Sequence, residues 1–151
     1  MEVSHACHCT YRIRYHMVFV LKYRKNLISR EIFDFFKTIC KGIEDRYFLK
    51  FDALGSDGDH MHLVVEAAPR YSPSREMQIC KSITAIQIFK HFPEVKEELW
   101  GGEFWSDGGH IDTIGDGRGL EEVKKYVKKQ GGIPDQLSLH EFDCSLGSAE
   151  S

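Results

Sequence analysis

The feature that most constrains the fold is the two-residue alternation in residues 58–69, GDHMHLVVEAAP. A β-strand sends alternate side chains to opposite faces of its sheet. One face of this segment carries a set that begins with two histidines: His60, His62, Val64 and Glu66. The other face is apolar: Met61, Leu63, Val65 and Ala67. The segment therefore predicts a strand that packs on a core through one face and presents two neighbouring imidazoles on the other.

A second alternating segment spans residues 11–21 and predicts the first strand, with one face exposed to solvent. Its polar members are Arg12, Arg14 and His16. Residues 50–56 predict another strand, and the short glycine-containing turn near residues 57–59 connects it to the histidine strand as a hairpin. An irregular strand is expected over residues 103–114, loosened by Gly108 and Gly109.

Helix signals separate these strands. Ser29 can cap a helix whose apolar residues follow the 3.6-residue period as far as Tyr47. Ser72 and Pro73 open a second helix that runs to about His91 and is stopped by Pro93. A last helix is expected over residues 120–130, after the glycine-rich segment IGDGRG and before Gly131 and Gly132.

The order β-α-β-β-α-β-α predicts an α+β fold: a ferredoxin-like sandwich of an antiparallel sheet with helices on one face, plus a C-terminal helix. The second sheet face is expected to stay open, with Arg14, His16, His60 and His62 on it. Residues 1–132 are expected to form one catalytic or binding domain, and residues 133–151 an acidic, weakly structured tail.

Composition narrows the possible functions. The chain has 151 residues, 42% of them hydrophobic, which suits one domain with a single core. No apolar run approaches the roughly 18 residues of a membrane span, and no signal-peptide pattern is present, so we expect a cytoplasmic protein without a membrane partner. The five cysteines are odd in number and scattered, which favours reduced core residues over a disulfide framework.

The formal net charge of −3 argues against a protein that simply coats nucleic acid. The basic residues are nevertheless clustered. The two clusters that we regard as candidate DNA contacts are Arg12, Arg14, Lys22 and Arg24, and Lys124, Lys125, Lys128 and Lys129. Such clusters can hold a phosphate backbone locally, although solvated helix faces carry lysines just as often.

The last predicted helix places Tyr126 and Gln130 one turn apart on one face. Taken alone, this pattern favours a tyrosine packed on the sheet edge with a glutamine at the helix end. In a functional interpretation, the Gln130 amide oxygen is a third metal ligand beside His60 and His62. Such a site leaves positions open for water and phosphate oxygens and suits Mg²⁺ or Mn²⁺. Tyr126 would then attack a phosphate held on that metal.

Five segments in order, from about residue 15 to residue 132, resemble the small single-tyrosine transposases of single-strand insertion sequences and their repeat-associated relatives, within the HUH endonuclease superfamily. They are YHMVFVLKYRKNLI, GDHMHLVVEAAP, SPSREMQICKSITAIQIFKHFP, LWGGEFWSDG and VKKYVKKQG. By motif, His60 and His62 match the metal ligands, Tyr126 matches the nucleophile, and Gln130 matches the residue that completes metal binding.

The resemblance implies a transposase that is a metal-dependent single-strand DNA endonuclease and strand transferase. Single-stranded DNA hairpins at the element ends would be its substrate. Cleavage would leave a 5′-phosphotyrosine and a free 3′-hydroxyl, followed by strand transfer. The resemblance also implies a homodimer in which the tyrosine helix of one subunit completes the metal site of the other in trans.

Three alternatives remain open from the sequence. A non-catalytic nucleic-acid-binding module on the same fold would need neither metal nor tyrosine. A metal-dependent phosphodiesterase would use water as the nucleophile. A domesticated repeat-processing nuclease of the same family would share every site residue.

Trp100, Phe104 and Trp105 are candidates for stacking on unpaired bases, and core packing explains them equally well.

Overall fold

The computed structural model describes residues 3–6, 8–115 and 118–129. Ten strands and helices in these ranges define the fold, in the order β1 Ser4–Ala6, β2 Cys9–Tyr11, β3 Arg14–Val20, α1 Arg30–Arg46, β4 Lys50–Ser56, β5 His60–Glu66, α2 Pro73–His91, α3 Pro93–Glu98, β6 His110–Thr113 and α4 Arg118–Lys129. A 3₁₀ turn at Lys22–Arg24 follows β3.

Four of the strands form one antiparallel sheet in the order β4-β5-β3-β6, and β1 pairs with β2 in a separate hairpin. In the sheet, β5 lies between β4 and β3, so the strand with the two histidines is central. The expected α+β class with an antiparallel sheet is confirmed. The N-terminal hairpin differs from the sequence expectation of one continuous strand over residues 11–21, because residues 12 and 13 separate β2 from β3.

The apolar face of the sheet supports the main core. Met17 and Phe19 of β3 and Met61 and Leu63 of β5 are fully buried there, and α1 and α2 cover them. The start of α1 is fixed as predicted, because the Ser29 side chain accepts a hydrogen bond from the backbone N–H of Ile32 at 3.3 Å. The core of this layer thus follows from the alternation in the strands and the stripe on the first helix.

The second face of the sheet is not open, which corrects the expectation from sequence. The helix α4 lies against β4 and β5 on that face. Val127 is fully buried there, in a small cluster with Ala53, Val64 and Ile114. The physical reason is that α4 carries its own apolar stripe, and Val64 and Ala53 offer it an apolar surface to cover.

Elements near the C-terminal half differ from the sequence expectation in their bounds. Pro93 does end α2, but it also opens the short helix α3 as its first residue, a position that suits proline. The strand β6 spans four residues only, because Phe104 and Trp105 leave the sheet and enter the main core. Cys40 and Cys80 are buried free thiols, as predicted. Among the described residues, none of the helices is both long enough and apolar enough to span a bilayer.

Candidate metal and nucleophile site

The polar face of the sheet brings together three imidazoles, because β3 pairs with β5. Val18 faces His62 across the strands, and Val20 faces His60. His16, one position further along the same face of β3, lies diagonally opposite His62, with its Nε2 3.3 Å from His62 Nδ1. The rings of His60 and His62 are nearly parallel, with centroids 6.4 Å apart. The predicted pair is therefore present on one face, with His16 added to it.

Tyr126 lies against this group. Its ring meets the rings of His16 and His62 edge-on, with both centroid distances 6.1 Å. The neighbouring Val127 anchors α4 to the sheet, whereas the Tyr126 side chain remains 51% exposed. The nucleophile candidate is thus held beside the histidines while its hydroxyl-bearing ring stays accessible to a substrate.

Burial sets the protonation state of the central imidazole. Desolvation, together with the neighbouring His16 and His60, lowers the pKa of His62 to about 4. Burial also lowers the pKa of His16. A neutral imidazole keeps a lone pair for a metal ion. The His62 Nε2 atom is buried and has no hydrogen-bond partner among the described residues, so the donor set fits a metal ligand at this position.

Two carboxylates that the sequence reasoning missed stand next to His60. The His60 Nδ1 lies 2.5 Å from Asp59 Oδ1 and 3.3 Å from an oxygen of Asp57. Asp57, Asp59 and His60 form a group that could hold a metal ion. A carboxylate on Nδ1 orients the ring and leaves Nε2 for a metal. The sequence could have indicated this group, because both aspartates lie in the turn immediately before His60.

Open space flanks the histidines on both sides of Val18. One cavity of about 460 Å³ is lined by His16, His62 and Tyr126. A second, of about 560 Å³, is lined by His60 together with Tyr23 and Arg24. Both volumes lie in the range of ligand sites in proteins. The site can therefore accept a group of nucleotide size beside the imidazoles.

The residues predicted to contact DNA differ in their burial and in their ion pairs. Arg14 is only 5% exposed, and its guanidinium pairs inside the protein with the carboxylates of Asp52 and Glu66. Its positive charge is therefore engaged internally, because the N-terminal end of β3 pairs with the end of β5 that carries Glu66, and β4 with Asp52 lies on the other side of β5. Lys22 Nζ lies 2.6 Å from a Glu103 oxygen.

The remaining basic candidates lie nearer the surface. The Arg24 side chain is 71% exposed, and Lys124 is partly exposed and 3.8 Å from Glu121. Arg12, Lys125 and Lys129 are exposed. The Lys128 side chain and the whole of Gln130 lie outside the described residues, as does the tail at 133–151.

Comparison with known proteins finds similarity to transposases. The family described as "Transposase IS200 like" matches residues 9–130. The ISDra2 transposase TnpA of Deinococcus radiodurans is 28% identical over 120 residues, which cover 80% of this chain and 85% of that protein. The transposase of insertion sequence element IS200 of Salmonella typhimurium is 26% identical over 139 residues, 87% of this chain and 88% of its own length.

Two solved structures are similar in fold. A crystal structure from Deinococcus radiodurans R1, assigned as a transposase, superposes with a TM-score of 0.68 at 25% identity and covers 86% of this chain and 99% of that chain. A REP-associated tyrosine transposase bound to a REP hairpin superposes with a TM-score of 0.60 at 13% identity, over 95% and 87% of the two chains. The latter shows similarity of fold alone.

The resemblance drawn from the five sequence segments is confirmed. The family match spans most of the chain, from β2 to the residue after α4, and includes His60, His62 and Tyr126. The chain belongs to the IS200-like transposase family.

Proposed function

We propose that this transposase acts on single-stranded DNA and that Tyr126 is its nucleophile, with a divalent metal bound by His60, His62 and Gln130. The observation that carries the proposal is the contact of Tyr126 with His16 and His62, at centroid distances of 6.1 Å. Two segments far apart in sequence meet at a neutral, buried imidazole with an unpaired nitrogen. That combination suits phosphodiester chemistry better than core packing.

The chemistry balances without an external energy source. The Tyr126 oxygen forms a bond to phosphorus, and the bond from phosphorus to the 3′-oxygen breaks, which leaves a 5′-phosphotyrosine. The tyrosine proton is lost, and the departing 3′-oxygen gains one to become a hydroxyl. Attack of a 3′-hydroxyl on the phosphotyrosine later restores a diester and releases the tyrosine, so strand transfer needs no ATP.

The residues of the chain orient and accommodate the reacting groups. When bound, Mg²⁺ or Mn²⁺ would act as a Lewis acid on the phosphate. Asp59 holds the ring of His60 so that Nε2 faces away from the carboxylate. The anchoring of Val127 keeps Tyr126 over the imidazoles. The attack by the Tyr126 hydroxyl depends on this arrangement.

The substrate is proposed to be a DNA hairpin with unpaired flanks at each element end. The solved REP-associated transposase is bound to a REP hairpin, and this chain shares its fold. Phosphate contacts are assigned to the exposed basic residues Arg12, Arg24, Lys125 and Lys129. Lys22, Lys124 and Lys128 stay in the proposal as further candidates from the sequence. Arg14 is left out because it is buried. Binding should therefore weaken as salt is raised.

We also propose a homodimer in which α4 of one subunit completes the site of the other. In the structure, α4 lies on the sheet of its own chain. The surface that receives it is a small apolar patch of Ala53, Val64 and Ile114, which a second α4 fits equally well. Gly115, Gly117 and Gly119 around the start of α4 favour such an exchange, because glycine allows the connection to take more than one path.

The experiment is an adduct assay with end-labelled single-stranded DNA from the flanks of the gene, run on a denaturing gel with Mg²⁺ or Mn²⁺. Wild-type protein should give a protein-linked band that needs metal, and Tyr126→Phe should abolish it. Tyr47→Phe is the matched control, because Tyr47 caps α1 away from the site, and it should retain the band.

Other outcomes identify the competing functions. Cleavage by Tyr126→Phe would make water the nucleophile and overturn the role of Tyr126. Binding of DNA without any adduct, with either metal and with hairpins from both flanks, would favour a binding module.

A further inference from the structure

Two large aromatic side chains are exposed next to each other at one end of the sheet. Tyr23, just after β3, is 52% exposed, and Trp100, just after α3, is 81% exposed. Their rings are nearly parallel, with an interplanar angle of 16° and centroids 6.1 Å apart. By contrast, Phe104 and Trp105 are buried in the core. Of the three aromatic residues named as stacking candidates from sequence, Trp100 alone is available to solvent.

The pair is held in place from both sides. The backbone N–H of Lys22 donates to the Phe104 carbonyl at 2.9 Å. Lys25 Nζ donates to the Glu98 carbonyl at 3.0 Å. Gly101 lies so near that an added Cβ would come within 3.2 Å of the Tyr23 hydroxyl. The two rings are therefore displayed by a fixed loop, which lowers the entropy lost when a ligand stacks on them.

The backbone that presents Tyr23 is strained. Tyr23 has φ 60° and Arg24 has φ 51°, so two consecutive side-chain-bearing residues adopt the left-handed conformation. This conformation is unfavourable for both residue types. Residues held this way cluster at ligand sites, where the surrounding structure enforces the geometry. The strain and the exposure of the rings coincide at one loop.

The loop also borders the candidate metal site. Tyr23, Arg24 and His60 line the same cavity of about 560 Å³. Lys22 Nζ lies 5.8 Å from the centroid of the Tyr23 ring, and the charged residues next to the two rings in sequence form the ion pairs Lys22–Glu103, Arg24–Asp59 and Lys25–Glu98. This charged surround is unlike the core of a protein interface. It suits a ligand that has a flat apolar face and an anionic backbone.

We propose that Tyr23 and Trp100 form a stacking platform for an unpaired base of the DNA strand that reaches His60. The proposal rests on the proposed single-stranded substrate. A base in a duplex is already stacked on both sides, whereas an unpaired base offers a free face to an aromatic ring. The platform would position the strand for cleavage without reading its sequence.

The test uses the full-length chain and 5′-fluorescein-labelled dT30, a strand that forms no hairpin, without metal. Fluorescence anisotropy gives the affinity, and intrinsic emission gives contact with Trp100, because Trp105 is buried. Wild type should bind with quenching. Trp100→Phe should remain within about threefold of wild type, and Trp100→Ala should bind about tenfold more weakly, in line with the loss of one base–aromatic stack.

Phe48→Ala is the matched control. Phe48 is also an exposed aromatic, at 62%, and its ring lies 4.2 Å from the Arg70 guanidinium, before β4 at the opposite end of the sheet. It should bind dT30 as wild type does. Because Trp100 and Phe48 are both exposed, neither replacement leaves a cavity, and equal melting temperatures would confirm folding.

The platform is overturned if wild type does not bind dT30, if Trp100→Ala binds within twofold of wild type, or if Phe48→Ala loses as much. The proposed function fails separately. An adduct that depends on Tyr126, together with normal binding of dT30 by Trp100→Ala, would support the proposed function and contradict the stacking platform. Binding that depends on Trp100, without any adduct, would support the stacking platform and contradict the proposed function.

Discussion

At the scale of the residue, the most unusual group outside the site is Glu76 of α2. Its side chain is fully buried, and burial raises its pKa to about 8, an effect that the backbone of Ala68 only partly offsets. The titratable groups that face it are Tyr15 of β3 and Cys80 one turn later, whose own pKa values are raised. Glu76 is therefore protonated in the native protein at neutral pH, among neutral neighbours.

Glu76 should make stability fall as pH rises. In the unfolded chain this carboxyl loses its proton near its ordinary pKa of 4.5, whereas the folded chain keeps it up to about 8. Between these values the native state binds more protons, so the free energy of unfolding decreases with pH, by up to about 5 kcal/mol. Glu76→Gln stays neutral at every pH and removes this dependence.

Urea unfolding at pH 5, 6.5 and 8 measures the effect. The stability of Glu76→Gln relative to wild type should increase from pH 5 to pH 8. Glu97→Gln, an exposed substitution on α3, is the control and should change little. A constant difference between Glu76→Gln and wild type across the three pH values would contradict the assignment.

At the scale of the element, the buried hydroxyl of Thr84 joins α2 to the segment before β6 through hydrogen bonds. Thr84 accepts a hydrogen bond from Trp105 Nε1 at 2.9 Å and donates to the Cys80 carbonyl at 2.6 Å. Further along, Lys81 Nζ donates to the carbonyls of Ser106 and Gly108, both at 2.8 Å. These contacts fix the segment whose glycines line the cavity beside His60.

Thr84→Val should lower the free energy of unfolding by about 1 to 3 kcal/mol, because the isosteric side chain leaves the Trp105 N–H buried without an acceptor. Thr38→Val is the matched control. Thr38 of α1 also donates to the carbonyl four residues earlier, at 3.3 Å, but it is exposed. Denaturant unfolding of both variants checks the difference, and equal effects would show that the indole bond contributes nothing.

At the scale of the whole molecule, the sheet serves two purposes on its two faces. The face with Met17 and Met61 carries the core under α1 and α2. The other face carries the histidines and the smaller patch that receives α4. A small patch holds a helix less firmly than a full core. In the proposed homodimer, α4 with Tyr126 is therefore the element that we expect to exchange between subunits.

Mixing two inactive proteins tests where α4 acts. Under the proposed function, Tyr126→Phe lacks the nucleophile and His62→Ala lacks a metal ligand. If the site is completed in trans, co-refolded heterodimers hold one site with both native residues, and adduct formation should return to about a quarter of wild type, the statistical share for random pairing of a C2 dimer. No recovery, with dimers confirmed by size, would instead place the nucleophile on the sheet of its own chain.

Local sequence signals determined most of the elements. Alternation fixed which side chains of β3 and β5 enter the core, and the serines before α1 and α2 fixed where those helices begin. Such signals suffice because strand faces and helix caps depend on residues only a few positions apart. The same locality explains why His60 and His62 could be placed on one face and Tyr126 on a helix.

Contacts between distant segments decided the rest. Arg14 and His16 both lie on the polar face of β3, yet Arg14 is buried against Asp52, whereas His16 joins His62. Trp100 and Trp105 are close in sequence, yet one is exposed and the other is core. The sequence by itself determined the three strands β3, β4 and β5, the starts of α1 and α2, and the shared strand face of His60 and His62. Tertiary structure alone decided these burials, because burial depends on which strands and helices become neighbours.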